Sequence, residues 1–563
     1  MTHASLCELT SAVSADEMMR NLGVMAERVK LAGTPEELES LRFVEARMQS
    51  FGYRTTVLHH PAYISLPGAA RVTAGGLALP CITHSFSLSS GPDGLTAPLA
   101  DLGTGRPADF AGQDVRGKIV LIEGMATPAT TARANRAGAA GQLHISPDDQ
   151  LHEMCISPVW GSPSDVTRAH LPTTVAVTVE RQAGLALRDR LRAGGPLDAT
   201  LFAEVDTGWR ETPLLVAELD GPDAGGEAPF VMFSGHHDTW HQGVMDNGAA
   251  NATMMEVARL CAGRRGEWQR GLRFCFWSGH SQGRYSGSAW YADAYWDELD
   301  RRCVAHVNTD STGGRGADDL AHSGAGSELW ALAAEAVSAQ ARQDYARVRS
   351  GRNGDQSFWG IGIPAIFNSL SRHARPEGTD PQAHMALGWW WHTASDTLDK
   401  IDPERLARDT RVFVHVVWRL LTVPLLPLDY ADHARAMRGE LQSLQARLGD
   451  LLDISLLLKR TDALEHAAAA LASSAAGATE LSRFNAALMR ASRALVPLDY
   501  TQGDRFRHDP ALEQHPWPSL QPLRHLADAA GTAEAPFRRV SALQASNRAA
   551  HALRLAIEAL EAP

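Results

Sequence analysis

Between residues 15 and 52 apolar positions recur every three to four residues. The segments DEMMRNLGVMAERVKL and TPEELESLRFVEARMQSFGY, within residues 15–52, therefore predict two helices. Thr34 followed by acidic residues reads as an N-cap matched to the helix dipole, and Gly52 as the C-terminal stop. RTTVLHH predicts a strand. From about 75 to 210 the pattern shifts to short strands and Gly/Pro turns. VRGKIVLIEG and HLPTTVAVTVE read as strands, TTARANRAGAAGQLHIS as a small-residue helix leading into a strand, and QAGLALRDRLRAGG as a helix. This stretch is expected to be an inserted β-rich domain.

Residues 213–425 return to α/β alternation. FVMFSGHHDTW, LRFCFWSGH, CVAHVNTDSTGG and GIPAIFNS are apolar strands running into polar loops, and ATMMEVARLCAG is a helix. The alternation predicts a mixed α/β fold with a largely parallel sheet sandwiched by helices. In such sheets ligands gather at the carboxyl ends of the strands, where the polar clusters of this chain fall. From about 427 the pattern is helical: GELQSLQARLGDLLDISLLLKR, the Ala-rich ALEHAAAALASSAAG and VSALQASNRAAHALRLAIEALEA predict a helical bundle.

Composition narrows the classes. A chain of 563 residues exceeds one core, so two to four domains are expected. A formal charge of -12 supplies no electrostatic reason for a nucleic acid or an anionic membrane as partner. No window approaches the roughly 20 apolar residues of a membrane helix, and the N-terminus lacks the basic start and apolar run of a signal peptide. The six cysteines, Cys7, Cys81, Cys155, Cys261, Cys275 and Cys303, have no CxxC spacing, so a cytoplasmic protein with reduced thiols is expected.

Four strand-end pieces carry candidate ligands: Gly235-His236-His237-Asp238, Val244-Met245-Asp246-Asn247, Asn308-Thr309-Asp310-Ser311 and Trp391-His392-Thr393-Ala394-Ser395-Asp396. Imidazole and carboxylate suit a zinc-like divalent ion with a position left open. Each piece alone is a weak signal; their order is the stronger one.

That order resembles the M28 family of metallopeptidases, in particular the branch of glutamate carboxypeptidase II and the transferrin receptor. GHHDTW resembles the family's GHxDS, VMDNGAANATMMEVAR its xxDNxSGxAxxxExAR, NTDSTG the loop of the next aspartate, and WHTASDTLDKID the last histidine motif. NGDQSFWGIGIPAIF resembles the segment before that motif. GKIVLIEG and ARANRAGAAG resemble a protease-associated (PA) insert, and RALVPLDYTQGDRFRHDPAL the helical dimerisation domain. The resemblance implies a metallohydrolase domain in residues 1–75 and 211–426, a PA-like insert in 76–210, and a helical homodimerisation domain in 427–563. It also implies one or two divalent ions, most simply zinc, held by His236, Asp246, Asp310 and His392. In the family Asp238 would orient His236, Asp246 would bridge two ions, and the Asp246–Asn247 peptide would be cis.

One segment departs from the family. Its pattern W-x-x-E-E-x-G-x-x-G-S carries the general base and a ligand in the Glu-Glu pair. Here the segment reads WSGHSQGRYSGS from Trp277, one residue longer. Counted forward from Trp277, His280 and Ser281 replace the pair; counted back from Gly287-Ser288, Ser281 and Gln282 do. His280 is then a ligand, a general base at neutral pH, or a bystander in a retired enzyme. Trp391 stands where the branch has a Tyr that stabilises the tetrahedral intermediate, and an indole N–H retains one donor. Arg284, Arg352 and Arg372 are candidates for gripping a substrate carboxylate, Arg284 first; Asn353 and Asp355 lie where the family contacts substrate. Trp240, Trp359, Trp389 and Trp390 line a pocket or fill the core. The expected activity is hydrolysis of an amide or peptide C–N bond in a small polar amino-acid conjugate or short peptide. A metal-dependent C–N lyase and a non-catalytic binding protein are the alternatives.

Overall fold

The computed structural model describes residues 3–194, 197–222, 227–379 and 384–563. At its centre the parallel strands Phe230–His236, Gly271–Trp277 and Cys303–Asn308 lie side by side, with Phe230–His236 in the middle. Trp277 pairs with His236, and Asn308 with Ser234, so three loops leave the sheet at one edge. The short strand Ala365–Ile366 extends the parallel set beyond Cys303–Asn308.

These strands are near-continuous apolar runs because both faces are covered. Val231, Phe233, Phe274 and Phe276 point to a core shared with the helices Ala250–Ala262 and Pro403–Thr422, through Val257 and Phe413. The alternate residues Phe230, Met232, Cys275 and Trp277 pack on the other face with Tyr291, Leu299 and Ile363. The expected mixed α/β architecture with a largely parallel sheet between helices is what the chain adopts. Near the N-terminus, helix Pro35–Ser50 is capped by Thr34, whose Oγ1 accepts from the Glu37 N–H, and Gly52 follows at a φ of 91°. A further helix, His3–Ser11, lies outside the elements the pattern predicts.

Two long strands alter the domain picture. The strand expected at RTTVLHH runs from Arg54 to Ala74, and Asp198–Leu219 pairs antiparallel with it from Arg54↔Glu218 to Ala74↔Ala199, with an irregularity between Pro67 and Ala70. This ribbon crosses from the central sheet into the insert, so the position 210/211 lies within a strand, whereas 75/76 falls on the Gly75-Gly76 turn at its tip. Pro61, Pro67 and Gly68 obscure the alternation that would have announced it. The insert is itself α/β: Leu95–Asp101, Ile119–Glu123, Gly141–Ile145 and Val175–Val179 are parallel neighbours in that order, with helix Pro128–Ala137 between the second and third and helix Arg181–Arg192 after the last. It has its own core around Leu121, Leu143, Val177 and Leu201.

The C-terminal region is helical, with Tyr430–Leu448, Ser455–Ala476, Ser482–Tyr500, Gln521–Asp528 and Ala535–Glu561. GELQSLQARLGDLLDISLLLKR forms parts of two helices, broken at Gly449 with its positive φ. The Ala-rich stretch is the second half of Ser455–Ala476 and buries Leu464, Ala468 and Leu471. No helix among the described residues is long and apolar enough to cross a membrane.

Candidate metal centre and active site

The four polar pieces converge at the carboxyl ends of the central strands. Their loops are tied together by two asparagines. Asn247 Oδ1 accepts from the Ser311 N–H, and its Nδ2 donates to the carbonyls of His236 and Thr309. Asn251 Nδ2 donates to the carbonyls of His236 and Asn247. The Asp246–Asn247 peptide is cis.

Asp246 stands between two histidines. Its Oδ1 lies 3.0 Å from His236 Nε2 and its Oδ2 3.0 Å from His392 Nε2. Asp310 Oδ1 is 3.8 Å from the same His236 nitrogen. Each imidazole is anchored by its other nitrogen on a main-chain carbonyl: His236 Nδ1 on Asp238 O at 2.7 Å, and His392 Nδ1 on Glu153 O at 2.7 Å. A carbonyl only accepts, so each Nδ1 carries the proton and a neutral ring turns the Nε2 lone pair toward Asp246. Acceptor then faces acceptor. His236 Nε2 and Asp246 Oδ1 are buried and make no hydrogen bond. A cation between them satisfies both, so the residues fit a divalent ion.

The electrostatics mark the same place as one for positive charge, which a bound ion or, without one, a proton on His236 Nε2 fills. Burial would lower the His236 pKa, but the Asp246 and Asp310 carboxylates outweigh it and hold the ring well above its ordinary value. Burial would raise Asp246, and His236 and His392 outweigh it and hold the carboxyl well below its usual range. In His392 burial prevails and lowers the pKa. Asp396, raised to about 7 by burial, accepts from the Met245 and Asp246 N–H groups and so supports the bridging residue from behind.

The turn after Trp277 resolves the two possible registers. His280 and Ser281 line the cavity beside Asp246 and Asp310, whereas Gln282 is turned away, its Oε1 accepting from the Ala32 N–H and its Nε2 donating to Thr239 O. Forward counting from Trp277 is thus the one the fold uses. Asp238 holds this turn: its carboxylate accepts from the N–H groups of His280 at 3.1 Å and Ser281 at 2.8 Å. The orienting contact expected of the Asp238 side chain on His236 is made instead by its main-chain carbonyl, with the carboxylate 3.9 Å away. The turn continues through two consecutive left-handed residues, Arg284 and Tyr285. Gly279 is required here, since its φ is 74° and a Cβ would lie 2.0 Å from Ser286 Oγ.

His280 stacks on His236 with ring centroids 3.7 Å apart, and its Nδ1 lies 2.8 Å from Asp355 Oδ2. Ligand-capable atoms of His236, His280 and Asp310 all fall within 4.8 Å of one another.

The cavity in front measures about 220 Å³. Arg284, Asn353, Trp240 and Trp391 line it, as do Tyr285, Asn368 and Ser369, which the sequence did not single out. Trp391 stacks on His392 at 3.5 Å. Met154 and Cys155 reach it from the insert. Arg284 has a buried Nε without a hydrogen-bond partner, and its guanidinium lies 5.0 Å from the Tyr285 ring centroid.

Arg352 does not reach the cavity. It donates to the carbonyls of Asp509 and Pro510 and stacks on Trp160, which makes it a strut to the C-terminal region. Arg372 likewise lies elsewhere, its main chain bridged to Asp319. Trp359 is stacked on Tyr500 in the core, Trp390 packs against Met245, and Trp389 is exposed. A larger hollow of about 690 Å³ between Arg270 and helix Ser482–Tyr500 shares no lining residue with the site.

Residues 215–417 match the model of Peptidase family M28. This stretch runs from the ribbon strand through His392 and so carries every ligand candidate. The probable lipoprotein aminopeptidase LpqL of Mycobacterium tuberculosis is 25% identical over 288 residues, 49% of this chain and 54% of that protein. The probable glutamate carboxypeptidase VP8 of Zea mays is 23% identical over 346 residues, 50% of this chain and 48% of that protein. The chain thus spans about half the length of these two curated relatives. The zinc aminopeptidase BSAP of Bacillus subtilis superposes with a TM-score of 0.56 over 74% of this chain and 98% of its own, at 20% identity, which shows a shared fold.

Proposed function

We propose that the chain is a metal-dependent hydrolase of the M28 type that cleaves the amide C–N bond of a small amino-acid conjugate bearing a free carboxylate. The observation that carries this reading is the pair of imidazoles, His236 buried and His392 partly buried, whose Nε2 atoms face the two oxygens of Asp246. A zinc-like ion bound there supplies Lewis-acid polarisation of a carbonyl and lowers the pKa of water. His280, beside His236 and Asp310 and in place of the family's Glu pair, receives a proton at Nε2 or serves as a ligand. Arg284, which forms no ion pair among the described residues, grips the substrate carboxylate, and the 220 Å³ cavity favours a small ligand over a long peptide. Trp391 donates its indole N–H toward the developing oxyanion. The names of the relatives, aminopeptidases and a glutamate carboxypeptidase, agree with amide hydrolysis.

The wider assembly is part of the same proposal. Residues 76–210 act as a PA-like insert, and 427–563 as a homodimerisation domain in a cytoplasmic protein. Phe537, Val540 and Leu543, exposed along helix Ala535–Glu561, support a dimer surface. Phe537→Glu should then yield monomers by light scattering.

The deciding experiment is hydrolysis of N-acyl amino acids and dipeptides by protein loaded with zinc, manganese or cobalt, alongside elemental analysis. Activity that needs the ion, and is lost in His280→Ala, supports the reading. A wild-type chain that takes up none of the three ions overturns it and leaves a binding protein.

A further inference from the structure

The turn that lacks the Glu pair is backed by a buried hydrogen-bond chain that none of the site assignments above uses. Asp355 Oδ2 is 2.8 Å from His280 Nδ1, and its Oδ1 accepts from Ser288 Oγ at 2.7 Å. Ser288 Oγ lies 2.9 Å from Ser357 Oγ, which accepts from Trp160 Nε1 of the insert at 2.9 Å. Asp355 is 1% exposed and both its oxygens are engaged, so it has no freedom to turn toward substrate. A carboxylate only accepts; it therefore fixes the proton of His280 on Nδ1 and leaves Nε2 as the lone-pair atom. His236 reaches the same state through the Asp238 carbonyl. Two stacked imidazoles thus carry their lone pairs on Nε2, and Asp310 adds a carboxylate within the 4.8 Å cluster.

The donors are unevenly shared. On the His236 side stand His236, His280, Asp310 and one oxygen of Asp246. On the His392 side stand only His392 and the other oxygen of Asp246, because Ser281 occupies the neighbouring position. Two imidazoles and a carboxylate form a donor set that suits transition-metal ions, with positions left open for substrate.

We infer that Asp355 is a positioning residue that turns His280 into a ligand, so that His236, His280 and Asp310 hold one transition-metal ion per chain. The inference rests on the metal-dependent reading above and adds to it the ion count and the ligand role of His280.

Cobalt(II) reports both features through binding stoichiometry and its visible absorption bands. The wild-type chain should bind one cobalt ion. Asp355→Ala should weaken binding by about 10–100-fold and shift the bands, because His280 is then free to rotate. Asp355→Asn, which keeps the shape and an accepting oxygen, should recover much of the affinity and the wild-type spectrum. His280→Ala should shift the bands and weaken binding in the same way, and a helical circular dichroism spectrum and cooperative melting verify that each variant is folded. Wild-type affinity and spectrum in folded Asp355→Ala, or two ions per wild-type chain, would overturn the inference while leaving metal-dependent hydrolysis intact. A wild-type chain that binds no ion would remove both.

Discussion

His392 Nδ1 donates to the main-chain carbonyl of Glu153 at 2.7 Å, so the last histidine of the site is aimed by a residue of the insert. The contact is part of a clasp. The Glu153 N–H donates to His392 O, and His152 Nδ1 lies 2.6 Å from Trp391 O while its Nε2 meets Asp148 Oδ1 at 2.9 Å. The insert therefore holds the Trp391-His392 turn from outside, and Met154 and Cys155 form part of the cavity wall.

Loosening that clasp should disturb the site at a distance. In His152→Ala the Trp391 carbonyl loses its partner and the turn gains freedom. Partners that orient metal-ligand histidines are worth about 10–100-fold in affinity or activity, and a substitution one step further out should cost roughly ten-fold. Cobalt titration and kcat/KM check this, and unchanged values for both would show that the clasp is not needed.

Arg284 should act on binding. Charge-assisted hydrogen bonds contribute about 1.5–3 kcal/mol each, so Arg284→Ala should raise KM for carboxylate-bearing substrates by roughly 10–100-fold. The corresponding carboxamides should be affected far less. Equal losses on both substrate series would place Arg284 in the architecture of the turn and not on the substrate.

Chelation should lower stability. Without an ion, the Nε2 atoms of His236 and His392 face the acceptor oxygens of Asp246. An ion present at 100–1,000 times its Kd stabilises the folded chain by about 3–4 kcal/mol. The melting temperature should therefore fall by several degrees with a strong chelator and return when zinc is restored.

Glu153 sets a pH dependence of its own. Burial raises its pKa from 4.5 to about 7. Below 4.5 both folded and unfolded chains are protonated there, and the group contributes nothing. Between 4.5 and 7 the unfolded chain ionises while the folded one keeps its proton, so stability falls with rising pH; above 7 the full cost, about 3 kcal/mol, persists. Glu153→Gln keeps the carbonyl that holds His392 and removes the titration. Its melting temperature should exceed that of wild type at pH 8 and match it near pH 4.5.

Much of the site was legible because His236 and Asp310 fall at the ends of apolar strands and Asp246 lies in the loop after the first of them, whereas His392 sits in a turn with no strand directly before it. Continuous apolar runs mark strands covered on both faces, and such strands in α/β alternation bring their carboxyl ends to one edge. His236, Asp246, Asp310 and His392 could be named on that ground together with the family resemblance, and the structure brings them together. Arg352 is the contrary case. It is adjacent in sequence to the cavity residue Asn353, but its side chain turns to Asp509 and Pro510, a direction no local pattern encodes. The ribbon strands are longer than the pattern predicts, since prolines hide their alternation and their pairing spans more than a hundred residues of chain.

The sequence by itself determined the class of sheet, the order of the candidate ligands and the absence of a Glu pair after Trp277, because local periodicity and residue identity carry those. Only the tertiary structure decided that His280 and not Gln282 faces the cavity, that Asp355 holds its Nδ1, and that the insert aims His392. These depend on hydrogen bonds between segments 75–250 residues apart, and the direction of a side chain across such a distance is fixed by packing alone.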